Sequence, residues 1–202
     1  MAQLFIAAII AYCIGSIPTG YVVARWIKGI DIRQFGSGNT GATNVFRVLG
    51  KPYGILVLIC DALKGFIPAA LFVPLFNVSY GSLTHADLAL LIGIAAIVGH
   101  VFSIFMRFRG GKGVATSTGV FLAIAPLPVL IACAILIPVI ILTRMVSVGS
   151  LSGAVLLPIL IRIFQPESTL VFFMSIGLGL LIIYRHRDNI KRLLKGQEKK
   201  FF

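Results

Sequence analysis

The sequence predicts an all-α, polytopic membrane protein with seven transmembrane helices, the N-terminus outside and the C-terminus cytoplasmic. Three observations carry this. The 202 residues are 58% hydrophobic and 12% charged, with a mean hydropathy of +1.03, far more apolar than a soluble domain of this size. Six apolar stretches and one shorter stretch are separated by brief polar segments. The cations behind a net charge of +12 gather in three of those segments.

The elements follow in order. Leu4 to Val23, Ile55 to Phe76 and Leu88 to Met106 are each about 19 to 22 residues, enough at ~1.5 Å per residue to cross a ~30 Å hydrocarbon core. The first has no basic region before it and no small-residue cleavage site after it, so it is expected to remain attached as a span, not to be removed as a signal peptide. Arg25, Lys28, Arg33, Arg47 and Lys51 follow the first span, and Arg107, Arg109 and Lys112 follow the third. Arg185, Arg187, Lys191, Arg192, Lys195, Lys199 and Lys200 follow the last. The positive-inside rule puts all three groups in the cytoplasm.

Between Lys112 and Arg185 the apolar pieces are Val114 to Ala125, Leu127 to Leu142, Val146 to Phe164 and Thr169 to Tyr184. Four crossings return the C-terminus to the inside. Reading Val114 to Leu142 as one span would leave the C-terminal cations outside. Pro126 and Pro128 then mark a tight outer turn, and Arg144 returns to the cytoplasmic side beside Ser147, Gly149 and Ser150. The fourth piece is below the usual minimum of ~17 residues and must thin the bilayer or start in a protein-lined cavity. One domain, 1–202, accounts for the chain.

Such a charge in a soluble chain would suggest nucleic acid, but here it sits beside the spans, and no nucleic-acid partner is expected. Cys13, Cys60 and Cys133 lie in apolar segments without metal-ligand spacing and read as packing residues. Asp31, Asp188 and Glu198 are the only acids expected on the cytoplasmic face, too scattered for a magnesium cage. No metal and no cofactor is expected.

The chemistry lies in the loops. FGSGNTGATNVFR offers Gly36, Gly38 and Gly41 for close backbone approach, with Ser37, Asn39, Thr40, Thr43 and Asn44 as polar partners and the fork of Arg47 for phosphate oxygens. RFRGGKGVATS sets Gly110, Gly111 and Gly113 around Lys112 just before a helix, whose N-terminal amides favour an anion. It is not a Walker A loop, because Met106 and Gly113 stand where that motif needs glycine and a hydroxyl residue. VSVGS adds Ser147 and Ser150. RHRDNIKR puts His186 and Asn189 on one helical face at the membrane boundary. Glycine, small polar side chains and cations together make a cradle for phosphate, and the chain reads as a membrane enzyme acting on phosphorylated substrates. The plainer alternatives are polar connectors, tight turns and interfacial anchors.

Asp61 and Lys64 interrupt the second span at i, i+3, where each charge alone would cost ~2.5–3.5 kcal/mol at the bilayer centre. They are expected to pair or to face a cavity, and structural support and the shaping of a site are equal readings. His100, at the end of the third span, reads as a packed or loop-bonding histidine. His85 is expected outside.

At these residues the chain resembles the PlsY acyltransferases. The resemblance covers nearly the whole length through GSIPTGY, SGNTGATNVFR, DALKG, GHVFSIFMRFRGGKGVAT and HRDNIKRLLKGQE. It implies a seven-helix enzyme in the inner membrane of a bacterium with its active site on the cytoplasmic face. It further implies transfer of an acyl chain from acyl phosphate to glycerol 3-phosphate, with lysophosphatidate and inorganic phosphate as products. It implies no metal or organic cofactor, membrane lipid as surroundings and no obligate protein partner. The substrate site would be formed by Ser37 to Arg47, the glycine loop around Lys112, and His186 with Asn189. The Ser147 to Ser150 loop would belong to the same pocket, and Glu198 would be structural.

Two substrates with phosphate groups of about −1.5 to −2 each need a cation-rich, carboxylate-poor site. The H-x-x-x-x-D dyad of other acyltransferases is absent, since Leu90, Phe105 and Lys191 stand five residues after the three histidines. Direct attack of the glycerol hydroxyl on the acyl carbonyl is therefore expected, its proton passing to a substrate phosphate or to His186, with no acyl-enzyme. Two rivals are an anion transporter, which lacks support because no internal repeat is seen, and a headgroup phosphotransferase, which needs clustered aspartates for metal.

Overall fold

A computed structural model of the chain describes residues 1–201. Among these, all regular secondary structure is helical. The α-helices are α1 (Ala2–Ser16), α2 (Thr19–Lys28), α3 (Ala42–Leu49), α4 (Lys51–Leu75), α5 (His85–Val101), α6 (Val114–Ile124), α7 (Pro126–Thr143), α8 (Val146–Phe164), α9 (Thr169–Arg185) and α10 (Arg187–Leu194). Short 3-10 turns cover Ile32–Gln34 and Ile104–Met106. Chain contacts divide it into two compact units, Met1–Ile124 and Ala125–Phe202.

Among the described residues, five segments are long and apolar enough to cross a membrane: Ala2–Lys28, Lys51–Leu75, His85–Met106, Pro126–Thr143 and Val146–Phe164. A sixth arises if α9 and α10, bent by 60° at their junction, count as one span, and α6 is a shorter apolar helix. Their outward faces carry large apolar side chains such as Leu71, Leu130, Ile141 and Leu180, the surface an integral membrane protein presents to lipid.

In the first unit α1 packs on α5, and α4 packs on α3, α5 and α6. Small residues set these distances. A Cβ at Gly15 would lie 2.0 Å from the Ala96 carbonyl oxygen, and one at Gly99 would lie 2.2 Å from that of Tyr12. Backbones meeting this closely gain dispersion contact where lipid offers no hydrophobic drive for helix association. The α1–α5 core holds Ala7, Ala11, Phe72, Leu88, Ile92 and Ala96, and a second core under α2 and α3 holds Val23, Ala24, Ile32, Val45 and Val57. Thr84 caps α5 through a reciprocal capping box with Asp87, which occupies two orphan donors of its first turn.

The first span is not the uninterrupted helix expected over Leu4 to Val23. It breaks at Ile17 and Pro18, where Ile17 takes φ −58, ψ 116 and Pro18 φ −85, ψ 75. Proline has no amide to continue α1, and its ring pushes the preceding residue out of the helical region. The polar segment after it is only partly loop, because α3 begins at Ala42 and carries Asn44 and Arg47. In the second unit α8 packs on α7 and α9, and α10 contacts α9. Pro126 starts α7 directly after Ala125.

Candidate active site

The break in the first span exposes carbonyls that a continuous helix would satisfy. Lys64 donates to the Ile17 carbonyl at 2.9 Å, and Ser103 donates from its hydroxyl to the Ser16 carbonyl at 2.5 Å. Lys64 also pairs with Asp61 at 2.8 Å, with side-chain exposures of 7% and 3%. His100 Nδ1 lies 3.8 Å from the same Asp61 oxygen. The expected pairing of Asp61 and Lys64 is present, and the pair also faces a cavity. A small cleft, with enclosed room for about one water, is lined by Ser16, Thr40, Asp61, Lys64, His100 and Gly111, among others. It brings together the first motif, the charged pair and the glycine loop. Irregular backbone in a span is tolerable where it lines such a cavity.

Asn44 organises the first motif from the inside. Its side chain is buried at 2% exposure. The amide nitrogen donates to the carbonyls of Phe35 at 3.0 Å and Asn39 at 2.9 Å. The amide oxygen accepts from the Ser37 amide at 2.8 Å. Asn39 in turn accepts from the Gly41 amide at 2.7 Å. Gly36 and Gly38 take φ of +64 and +70, which only glycine adopts without cost. Ser37 and Gly38 are exposed, Thr43 and Arg47 half-buried and Thr40 buried. The motif thus divides into a brace, Asn44, and a presented edge around Ser37.

The glycine loop is built by close approach. The Gly110 amide donates to the Val101 carbonyl at 3.1 Å and the Gly111 amide to the His100 carbonyl at 3.0 Å. These carbonyls end α5 and lack helical donors. Two amides expected to cradle phosphate therefore cap a helix, and Lys112 follows at once with Gly113 at φ +86. Upstream, Arg107 and Phe108 sit at φ +51 and +61, costing about 1–2 kcal/mol each for side chains of this size. Just before the first motif, Asp31 accepts from Arg33, whose guanidinium holds that carboxyl down at about 2 against the smaller opposing effect of burial.

In the second unit Glu198 is a hub. Its Oε1 accepts from Ser147 Oγ at 2.8 Å and from the Asn189 amide at 2.5 Å, and its Oε2 accepts from Arg192 Nε at 2.8 Å. Burial raises the carboxyl's pKa, but the three donors together outweigh it and hold the group below the usual carboxylate range. His186 is buried and its Nδ1 lies 2.8 Å from the Ile182 carbonyl. A carbonyl only accepts, so Nδ1 carries the proton and the lone pair of the neutral ring lies on Nε2. Ser150 donates to the Val146 carbonyl at 3.0 Å. Among the described residues no three His, Cys, Asp or Glu side chains are grouped to hold a metal ion.

Sequence reasoning treated His100 only as a packing or loop residue and did not weigh Ser16 and Ser103. The available signal was Pro18 flanked by Ser16 and Thr19 inside an apolar run.

A protein-family model described as glycerol-3-phosphate acyltransferase matches residues 5–196. The glycerol-3-phosphate acyltransferase of Fusobacterium nucleatum is 46% identical over 197 residues, covering 98% of this chain and 97% of that protein. Its counterpart from Aquifex aeolicus is 44% identical over 201 residues, covering 100% of both. The crystal structure of PlsY, an integral membrane glycerol 3-phosphate acyltransferase in its glycerol 3-phosphate form, superposes with a TM-score of 0.89 at 42% identity, covering 100% of this chain and 96% of that one. With the family model spanning residues 5–196 and relatives above 40% identity covering nearly all of the chain, the chain belongs to the glycerol-3-phosphate acyltransferase family.

Proposed function

We propose that this protein transfers an acyl chain from acyl phosphate to the 1-hydroxyl of glycerol 3-phosphate, the first acylation step of phospholipid synthesis. The C–O bond to the leaving phosphate breaks as the ester bond forms. The hydroxyl proton leaves with inorganic phosphate directly or by way of His186, and lysophosphatidate (1-acyl-glycerol 3-phosphate) remains. The observation that carries this reading is a full-length match to enzymes named for that acceptor, in a chain whose polar loops are rich in cations and hydroxyls.

In the first unit, Arg47 and Lys112 supply the positive charge that two phosphorylated substrates require, and Ser37 with its neighbours Gly38 to Thr43 presents donors. In the second unit, His186 offers Nε2 as a proton acceptor, its Nδ1 proton being held by the Ile182 carbonyl, and Asn189, Ser147 and Ser150 offer amide and hydroxyl groups. Charge developing on the leaving phosphate is where such fixed cations lower the barrier most. Asn44 and Lys64 hold the surrounding backbone, Asp61 pairs with Lys64, and Glu198 ties Ser147, Asn189 and Arg192 together. The reaction needs no metal, organic cofactor or protein partner. Seven helices, an external N-terminus and a cytoplasmic C-terminus in a bacterial inner membrane fit the cation distribution, with the 11 residues of α6 as the short crossing. The acyl chain reaches the site from the inner leaflet.

The test is purified protein in lipid with palmitoyl phosphate and labelled glycerol 3-phosphate in the presence of EDTA. Lysophosphatidate and phosphate in equal amounts are expected. Product from acyl-CoA alone would overturn the donor, and no product from either would return the transporter reading.

A further inference from the structure

We propose that His100 is a positioning residue for the glycine loop. Its ring and carbonyl form the seat on which Gly110 and Gly111 rest, and Asp61 with Lys64 ties that seat to the break in the first span. The idea rests on the proposed function only in taking Lys112 to bind a substrate phosphate.

The contacts are specific. A Cβ at Gly111 would lie 2.1 Å from His100 Nε2, and one at Gly110 would lie 1.9 Å from the His100 carbonyl oxygen. Both are far inside contact distance, so this stretch of loop exists only because two residues without side chains lie on one histidine. The ring is buried at 7% exposure beside Asp61, Asp61 is held by Lys64, and Lys64 is held by the Ile17 carbonyl. A row of neighbouring polar groups therefore runs from the helix break to the residue before Lys112, with His100 Nδ1 and Asp61 3.8 Å apart at its widest step. The consecutive left-handed residues Arg107 and Phe108 turn the chain back onto this seat. Strain of that kind persists where surrounding contacts over-determine it.

The two glycines separate the ring from the backbone. Replacing His100 by alanine removes the ring that a Gly111 Cβ would strike but keeps the carbonyl that a Gly110 Cβ would strike. The experiment puts Gly111→Ala and Gly110→Ala each into the wild-type and His100→Ala backgrounds of the full-length protein in lipid. It reads KM and kcat for both substrates, and separately the rate at which an amine reagent labels Lys112, by peptide mass spectrometry. In the wild-type background both glycine variants are expected to raise KM about tenfold or more, the scale on which sub-ångström misplacement acts, and to change Lys112 labelling. In the His100→Ala background Gly111→Ala is expected to add less than about twofold, while Gly110→Ala keeps its penalty.

An equal Gly111→Ala penalty in both backgrounds overturns the proposal. So does a His100→Ala protein with wild-type KM and wild-type Lys112 labelling, whatever its kcat, because a purely structural loss lowers only the active fraction. Should His100→Ala fail to fold, His100→Gln takes its place, since a flexible amide gives way to a Cβ and the same outcomes decide. If the wild-type protein turns over neither substrate, the function reading falls alone, because Lys112 labelling still reports the seat.

Discussion

Lys64 and Asp61, one turn apart on α4, form an ion pair of 2.8 Å with both side chains almost wholly buried, and the Lys64 ammonium also satisfies the Ile17 carbonyl. One cation thus neutralises a buried carboxylate and caps the negative end of α1. Removing either partner alone strands the other. Lys64→Ala is expected to cost about 3–5 kcal/mol, and the double variant Asp61→Leu, Lys64→Met clearly less than Lys64→Ala, because the pair as a unit gains little over apolar packing. Thermal unfolding in detergent checks the order, and a double variant less stable than Lys64→Ala would refute it.

Asn44 gives a sharper test, because its two amide atoms face opposite demands. The nitrogen meets the carbonyls of Phe35 and Asn39, and the oxygen meets the Ser37 amide. Asn44→Ala removes both at a cost of about 1–3 kcal/mol. Asn44→Asp keeps the oxygen but turns an acceptor toward carbonyls, so the nearly isosteric change is expected to be the worse of the two. The melting temperatures decide.

Glu198 predicts a pH dependence. Its folded pKa lies below the usual carboxylate range, so the charge contributes stability above that range and loses it as the pH falls through the lowered value. Wild type is therefore expected to be more stable than Glu198→Gln at neutral pH, with the gap closing in acid below about 4. A gap constant from pH 7 to pH 3 would show that the charge does not hold Ser147, Asn189 and Arg192 in place.

Much of the fold was legible because apolar runs and prolines are local signals. The helices α7, α8 and α9 lie within a residue of where their runs begin and end, and the pairing of Asp61 with Lys64 followed from the cost of leaving either charge alone in a span. The break at Pro18 was hidden because residues on both sides are apolar enough to read as one span. The hub at Glu198 joins residues 51 apart through Ser147, and no local pattern announces it. The glycine loop was read by composition as a phosphate cradle. Its first two glycines answer to His100, a partner visible only once the Arg107–Phe108 turn folds the chain back.

Lys112 and Arg47 carry the activity prediction. Both are cations, but their geometries differ: an ammonium acts as a point charge, whereas a guanidinium presents a planar fork to two phosphate oxygens. Lys112→Ala is expected to lower kcat/KM by about 100-fold or more, the scale for removing one fixed donor from a developing anion. Arg47→Lys keeps the charge and loses the fork, so it is expected to lower kcat/KM by about tenfold, mainly through the KM of one substrate. On the proposed function, whichever KM moves would identify the substrate whose phosphate Arg47 binds. Wild-type kinetics for Arg47→Lys toward both substrates would mean that α3 supplies only charge to the site.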